Sequence, residues 1–315
     1  MGHFEPDPPA AMKAPAAMQA PALDRLLREQ ELPDAYRSMV ETIHRPLAEW
    51  LVEQRKQLGR TLIAGVCGTQ GSGKSTLCAV LKLLLEQAGL SCAVVSLDDL
   101  YLTHEERAEL ACTVHPLLQT RGVPGTHDVR LGAELLDALS RPPARVVALP
   151  RFVKAHDTRA ERQDWDEIEA PVDVILFEGW CIAATAQAES ELAAPVNALE
   201  RDEDADLVWR RHVNAQLASP YRALFGRLDR LIFLRAPSFE MVFAWRARQE
   251  EKLARQLAGQ PGAATRLMHA AALTRFIMHY QRLTEHLLRT LPGRADIVLP
   301  LDENQRILSM LRRAG

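Results

Sequence analysis

Residues 68–75 read Gly-Thr-Gln-Gly-Ser-Gly-Lys-Ser, and no other stretch constrains the fold of this chain as strongly. The octapeptide matches GxxxxGK[ST] at every fixed position, between the apolar run Leu62-Ile63-Ala64-Gly65-Val66-Cys67, which reads as a strand, and Thr76-Leu77-Cys78-Ala79-Val80-Leu81, which continues as a helix. Gly68, Gly71 and Gly73 let the backbone through Thr69, Gln70 and Ser72 bend so that its N–H groups point inward around a phosphate. The helix opened by Lys74, Ser75 and Thr76 adds the partial positive charge of its N-terminus. Lys74 is placed to reach the β and γ oxygens, and Ser75 to ligate magnesium. A chance match in a chain of this length is expected on the order of one time in a hundred at average residue frequencies. The pattern therefore predicts a nucleoside triphosphate site, with ATP and Mg2+ as its occupants.

The surrounding pattern alternates. Strands are expected at 61–67, 92–97, 145–150, 172–177, 230–234 and 296–299, with helices at 74–88, 129–140, 238–257 and 265–290. Such alternation implies an α/β chain of the P-loop NTPase fold, its mostly parallel sheet flanked by helices. Residues 1–22, rich in Ala, Pro and Met without periodicity, read as a mobile tail. Residues 23–58 read as an N-terminal helical extension, since Leu26, Leu27, Met39, Val40, Ile43, Leu47 and Leu51 recur at helical spacing. Residues 59–315 form the P-loop domain, with a helical lid at about 238–262 and a joint at Gly259-Gln260-Pro261-Gly262.

Charge narrows the function. Lys plus Arg total 38 and Asp plus Glu 41, a formal net of -3, so no overall positive field is available to hold nucleic acid or an anionic membrane. No apolar segment reaches the length of a membrane span, and the five cysteines form no CxxC pair. The expectation is a cytoplasmic protein with reduced thiols.

Two carboxylates follow strands at the edge where an α/β sheet builds its site. Asp98 ends Ala93-Val94-Val95-Ser96-Leu97, with Asp99, Leu100 and Tyr101 after it, and Glu178 ends Val172-Asp173-Val174-Ile175-Leu176-Phe177, with Gly179 and Trp180 after it. Phosphoryl transfer to an alcohol needs one carboxylate near the attacking hydroxyl and an acidic group for the magnesium shell, so Asp98 and Glu178 are candidates for both catalysis and metal binding. Asp99 reads more simply as a turn or helix cap.

Together, Gly68–Ser75, Ser96-Leu97-Asp98-Asp99-Leu100-Tyr101, Arg121-Gly122-Val123-Pro124-Gly125-Thr126-His127-Asp128 and Phe177-Glu178-Gly179-Trp180 resemble the plant-type D-glycerate 3-kinases and their fungal and bacterial relatives. These belong to the phosphoribulokinase, uridine kinase and pantothenate kinase superfamily. The resemblance runs from about Thr61 to Glu303 and takes in Val213-Asn214 and Trp245-Arg246-Ala247-Arg248-Gln249-Glu250. It implies that Asp98 is the catalytic base, that Glu178 stands near magnesium, and that Thr126-His127-Asp128 lies over the acceptor pocket beside Tyr101. It also implies that the lid brings Arg246 or Arg248 to the phosphates, although their helix could equally be a solvated face. Pro150-Arg151-Phe152-Val153-Lys154 looks like the family's P-x-Y-D-K with Phe152 and Val153 in place of Tyr and Asp, and no Gly-Arg-Gly-Asp-Arg run follows it.

The reading is a small-molecule kinase that moves the γ-phosphate of ATP to a hydroxyl of D-glycerate, giving 3-phospho-D-glycerate. Lys154, Arg121 and Arg159 are candidates to hold the substrate carboxylate, because a small anion needs a fixed cation. A kinase for a pantothenate- or nucleoside-like alcohol and a regulatory P-loop ATPase are the alternatives. His127 fits a loop-shaping bond as well as substrate contact. Trp165, Trp209 and Trp245 read as core or lid packing, and the acidic run from Glu200 to Asp206 as a solvated loop.

Overall fold

The run Leu62–Gly68 is buried at every position, and the described chain, residues 20–33, 35–257 and 270–313 of the computed structural model, is arranged around it. Its strands are β1 (Leu62–Gly68), β2 (Cys92–Ser96), β3 (Arg145–Leu149), β4 (Phe152–Val153), β5 (Thr158–Arg159), β6 (Asp166–Ala170), β7 (Val174–Gly179), β8 (Arg230–Arg235), β9 (Ile297–Pro300) and β10 (Leu311–Arg312). Its α-helices are α1 (Ala20–Glu29), α2 (Tyr36–Met39), α3 (Arg45–Leu58), α4 (Lys74–Gln87), α5 (His104–Thr113), α6 (Val129–Ser140), α7 (Glu189–Leu192), α8 (Ala198–Glu203), α9 (Val208–Ala218), α10 (Pro220–Phe225), α11 (Phe239–Leu257) and α12 (Ala270–Thr290). The expected tail falls largely, and the expected joint at 259–262 wholly, outside the described residues, as does His269.

The main sheet has the order β10-β9-β8-β1-β7-β2. Its neighbours from β9 to β2 are parallel, and β10 closes one edge antiparallel. Alternation along β1 sends Leu62, Ala64 and Val66 to one face and Ile63 and Cys67 to the other. The first face is covered by α4 and by the N-terminal helices, through Val40, Leu47 and Leu51. The second is covered by α6, α10 and α12, through Leu136, Leu224 and Leu287. Burial on both sides is why the central strands read as unbroken apolar runs.

Three expectations are corrected. The strand at 145–150 lies outside the main sheet: β3 pairs antiparallel with β6, and β4 with β5. Its composition agrees, because Val146 is 60% exposed, as suits a two-stranded flap with one wet face. The run from Glu200 to Asp206 is no solvated loop, since it contains most of α8, and Glu200 and Asp204 are buried. Arg210 Nε donates to Asp204 Oδ2 at 2.8 Å and Arg282 Nη2 to Glu200 Oε2 at 2.7 Å, which is how buried carboxylates are tolerated. Finally, α5 and the helices between 189 and 225 have no counterpart in the sequence expectations. Trp209 and Trp245 are core residues, and Trp165 is half-buried with its indole N–H on the Ala160 carbonyl. All five cysteines are unbonded, with Cys112 exposed and the other four buried. Among the described residues no helix is long and apolar enough to cross a membrane.

Candidate active site

Parallel register brings the site together. Val66 of β1 lies beside Glu178 of β7, and Glu178 lies beside Ser96 of β2, so the three strands end at one level. Beyond those ends stand the phosphate loop, Glu178 and Asp98. In the loop, Gly71 and Gly73 have φ of 76° and 84°, the left-handed region that glycine enters without steric cost. A side chain at Gly68 would meet Ser72 Oγ at 2.5 Å and Leu234 Cβ at 3.2 Å, so a larger residue there would displace the Ser72 hydroxyl. The buried hydroxyls of Thr69 and Ser72 have no hydrogen-bond partner among the described residues.

The Ser75 hydroxyl donates to Glu178 Oε1 at 2.9 Å, and Lys74 Nζ stands 3.9 Å from Glu178 Oε2. That second oxygen is buried and accepts no hydrogen bond from the described residues. Burial works against the Lys74 ammonium, but the Glu178 and Asp98 carboxylates outweigh it and hold its pKa above the ordinary value. Two hard oxygen donors, one with a second carboxylate oxygen that accepts no hydrogen bond from the described residues, fit a magnesium ion that keeps most of its waters.

Asp98 sits in the single turn Leu97–Leu100, capped by the Ser96 side chain, which accepts from the Asp98 N–H at 3.3 Å. Both of its oxygens are engaged: Tyr101 OH donates to Oδ1 at 2.8 Å and Lys154 Nζ to Oδ2 at 2.8 Å. Burial alone would raise this carboxyl. The charges of Lys154 and Lys74, with the hydrogen bonds from Lys154 and Tyr101, outweigh it and hold Asp98 well below the usual carboxylate range. Asp99 does not cap the helix at His104–Thr113, which Thr103 caps; its Oδ1 accepts from the Phe152 N–H at 2.9 Å and anchors β4.

The β4–β5 hairpin carries Lys154 and is pinned by Asp157. This residue takes φ 52° and gathers Arg107, Arg121 and His104 onto one carboxylate. Arg121 is therefore charge-compensated by Asp157. The loop 121–128 is fixed by residues remote in sequence. Gly122 has φ 127°, its carbonyl accepts from Trp180 Nε1 at 2.8 Å, and a Cβ there would overlap the Tyr280 hydroxyl, which donates to the Arg121 carbonyl. His127 is buried, stacked on Tyr101 with ring centroids 4.7 Å apart. Tyr221 OH accepts from the Gly125 N–H at 3.0 Å and is hydrogen-bonded to His127 Nδ1, 2.6 Å away, in the direction the imidazole tautomer sets. Burial pushes the His127 pKa down to about 3, so the imidazole is neutral.

Of the residues singled out in the sequence, Lys74, Ser75, Asp98, Lys154 and Glu178 line one cleft of about 480 Å³. Tyr101, Arg121, His127, Asp128 and Arg159 do not line it; Tyr101 reaches it through its hydroxyl on Asp98, and His127 and Arg159 pack against Tyr101. Asp128 Oδ1 caps α6 by accepting from the Leu131 N–H, and Arg159 donates to the Tyr101 carbonyl at 3.1 Å. Arg246 and Arg248 are on α11 and do not line the cleft; Arg248 donates to the Glu303 carbonyl at 3.1 Å. Sequence reasoning missed Arg151 and Asp166, ion-paired at 2.7 Å on the cleft wall. The one signal for them was the Asp166-Glu167-Ile168-Glu169 alternation of β6.

Comparison with known proteins agrees with this geometry. The sequence profile of the methylmalonyl-CoA mutase-associated GTPase MeaB matches residues 37–101, the segment holding the phosphate loop and Asp98. The uncharacterized kinase mug58 of Schizosaccharomyces pombe is 30% identical over 281 residues, covering 85% of this chain and 98% of that protein. The chloroplastic D-glycerate 3-kinase of Arabidopsis thaliana is 33% identical over 209 residues, 64% of this chain but 43% of that longer protein. The solved D-glycerate 3-kinase of Cryptococcus neoformans shares the fold, with a TM-score of 0.67 at 22% identity over 86% of this chain and 99% of its own. With the phosphate loop, Glu178 and Asp98 brought together on this sheet, the chain belongs to the P-loop kinase family that includes the fission yeast kinase mug58 and the D-glycerate 3-kinases.

Proposed function

We propose that this protein is an ATP- and magnesium-dependent kinase that phosphorylates a hydroxyl of a small anionic metabolite, with D-glycerate to 3-phospho-D-glycerate as the leading case. The observation that carries the reading is that Asp98, already ionised, and Lys154, a cation 2.8 Å from it on a separate hairpin, share one cleft with the phosphate loop. A base for the acceptor hydroxyl and a counter-charge for an acceptor carboxylate thus stand across from the triphosphate site. The 33% identity to a D-glycerate 3-kinase supports the same acceptor.

In this reading the phosphate loop and Lys74 hold the β- and γ-phosphates, and magnesium, held through Ser75 and Glu178, supplies charge neutralisation there. Lys154 takes the acceptor's carboxylate and leaves Asp98 Oδ2 open to the hydroxyl. Asp98 receives the hydroxyl proton as the oxygen bonds to the γ-phosphorus and the bond to the β-phosphate bridging oxygen breaks, releasing ADP. Tyr101 keeps the other oxygen of Asp98 oriented. The helix α11 is the lid, with Arg246 and Arg248 its candidates for phosphate contact on closure.

ADP release by the full chain with Mg-ATP tests this, alone and with D-glycerate, L-glycerate, pantothenate, uridine or ribulose 5-phosphate. Stimulation by D-glycerate above the rest is expected. Equal turnover with and without every acceptor would replace the kinase reading with that of a P-loop ATPase.

A further inference from the structure

A second cavity of about 530 Å³ lies away from the cleft and shares no lining residue with it. Its floor is the turn 183–186 that follows β7, its apolar wall is Leu217 and Phe225, and Arg222 and Arg294 line it. Arg294 precedes β9, so this end of the cavity is near the strands' N-terminal ends, whereas the phosphate loop follows the C-terminal end of β1.

Its charge is one-sided. No carboxylate lines the cavity, and among the described residues neither Arg222 nor Arg294 has an acidic partner. Arg294 Nη1 donates to the Ala183 carbonyl at 3.1 Å, holding that residue in a left-handed conformation with φ 60° and leaving the rest of the guanidinium uncommitted. Elsewhere most arginines of this chain are matched to carboxylates, including Arg227 at 2.6 Å from Asp137, on the segment that leaves α10. Two uncompensated forks over a concave wall with an apolar side are what recognition of a small anion with an apolar body requires.

We propose that this cavity is a second ligand site, for a small phosphate monoester or carboxylic acid whose anionic group bridges Arg222 and Arg294 and whose apolar part lies on Leu217 and Phe225. The site is built into the frame of the cleft. Arg222 follows Tyr221, whose hydroxyl holds Gly125 and His127 of the acceptor-side loop, and the floor turn begins five residues after Glu178.

Calorimetric titration of the full chain with phenyl phosphate tests it, with the cleft saturated by magnesium and a non-hydrolysable ATP analogue. Benzoate serves as the carboxylate counterpart and phenol as the neutral control. Binding of one or both anions is expected, with none for phenol, and a loss of at least about fivefold in affinity in each of Arg222→Ala and Arg294→Ala. Arg222 is exposed, so its variant retains the fold, and unchanged ATP-analogue affinity checks this. Failure of both anions to bind, unaltered binding in Arg222→Ala, or binding abolished by the ATP analogue overturns the proposal.

Discussion

On the phosphate side of the cleft, the working groups come from eight consecutive residues and the end of one neighbouring strand. On the proposed acceptor side they come from separate segments: Asp98 with Tyr101, the loop 121–128, and the hairpin around Lys154, backed by Tyr221 and Tyr280. The phosphate side is mostly backbone, and its demands fall on glycine. The acceptor side is made of side chains, each held by another, so its chemistry can change by substitution while the phosphate grip stays. At Phe152 the side chain packs edge-on against Tyr101 at 5.2 Å while the backbone gives its N–H to Asp99.

If the halves are separable, damage on one side should leave the other intact. The largest effect is expected for Asp98→Asn, which removes the proposed base and should lower kcat by about 10²–10⁴-fold while nucleotide affinity stays within a few fold. Collapse of nucleotide binding in that variant would show that the halves are coupled. Lys74→Met should act the other way round, cutting kcat by about 10²–10³-fold and weakening the nucleotide while the acceptor KM changes little.

A smaller effect is expected for Lys154→Ala. Loss of one charged hydrogen bond to the acceptor carboxylate, about 1.5–3 kcal/mol, should raise the acceptor KM by about 10–100-fold with kcat nearly unchanged. An unaltered KM would remove Lys154 from the acceptor site.

Acid sharpens the comparison at the level of stability. Burial lowers His127 to about 3 and His44 and His279 to about 4, from the ordinary 6.5. As pH falls below 6.5 the unfolded chain takes protons that the folded chain refuses. Their stabilising contribution is therefore complete above that pH and is lost progressively down to the folded values. Each should contribute a loss of roughly 1–2 kcal/mol between pH 7 and pH 5, read as a lower urea midpoint. His127→Gln should remove its share of that pH dependence, and a midpoint equal at both pH values in the parent chain would contradict the burial of all three.

The same contrast explains what the sequence disclosed. The phosphate loop, β1, α4 and α6 were legible because motif, capping and periodicity are local. Asp98 and Glu178 were legible because each ends an apolar strand. Arg121 read as a free cation because nothing local pairs it, yet its partner Asp157 is thirty-six residues away, in a turn with no recognisable signal. His127 read equally as a loop-shaping residue and as a substrate contact because Tyr221, its hydrogen-bond partner, lies ninety-four residues on. The acidic stretch before Asp206 read as solvent-exposed because Arg210 and Arg282 are matched to it only in three dimensions. The strand β3 was mistaken for main sheet, and its partner β6 was missed, because a short apolar run does not reveal which strand it will pair with.

The central claim is that the γ-phosphoryl group leaves ATP for an acceptor hydroxyl beside Asp98, and transfer of label from γ-labelled ATP tests it most directly. With magnesium and D-glycerate, the label should appear on 3-phospho-D-glycerate in the parent protein and be nearly absent from it in Asp98→Asn. Label found only in inorganic phosphate, in equal amount with and without D-glycerate, would contradict the account.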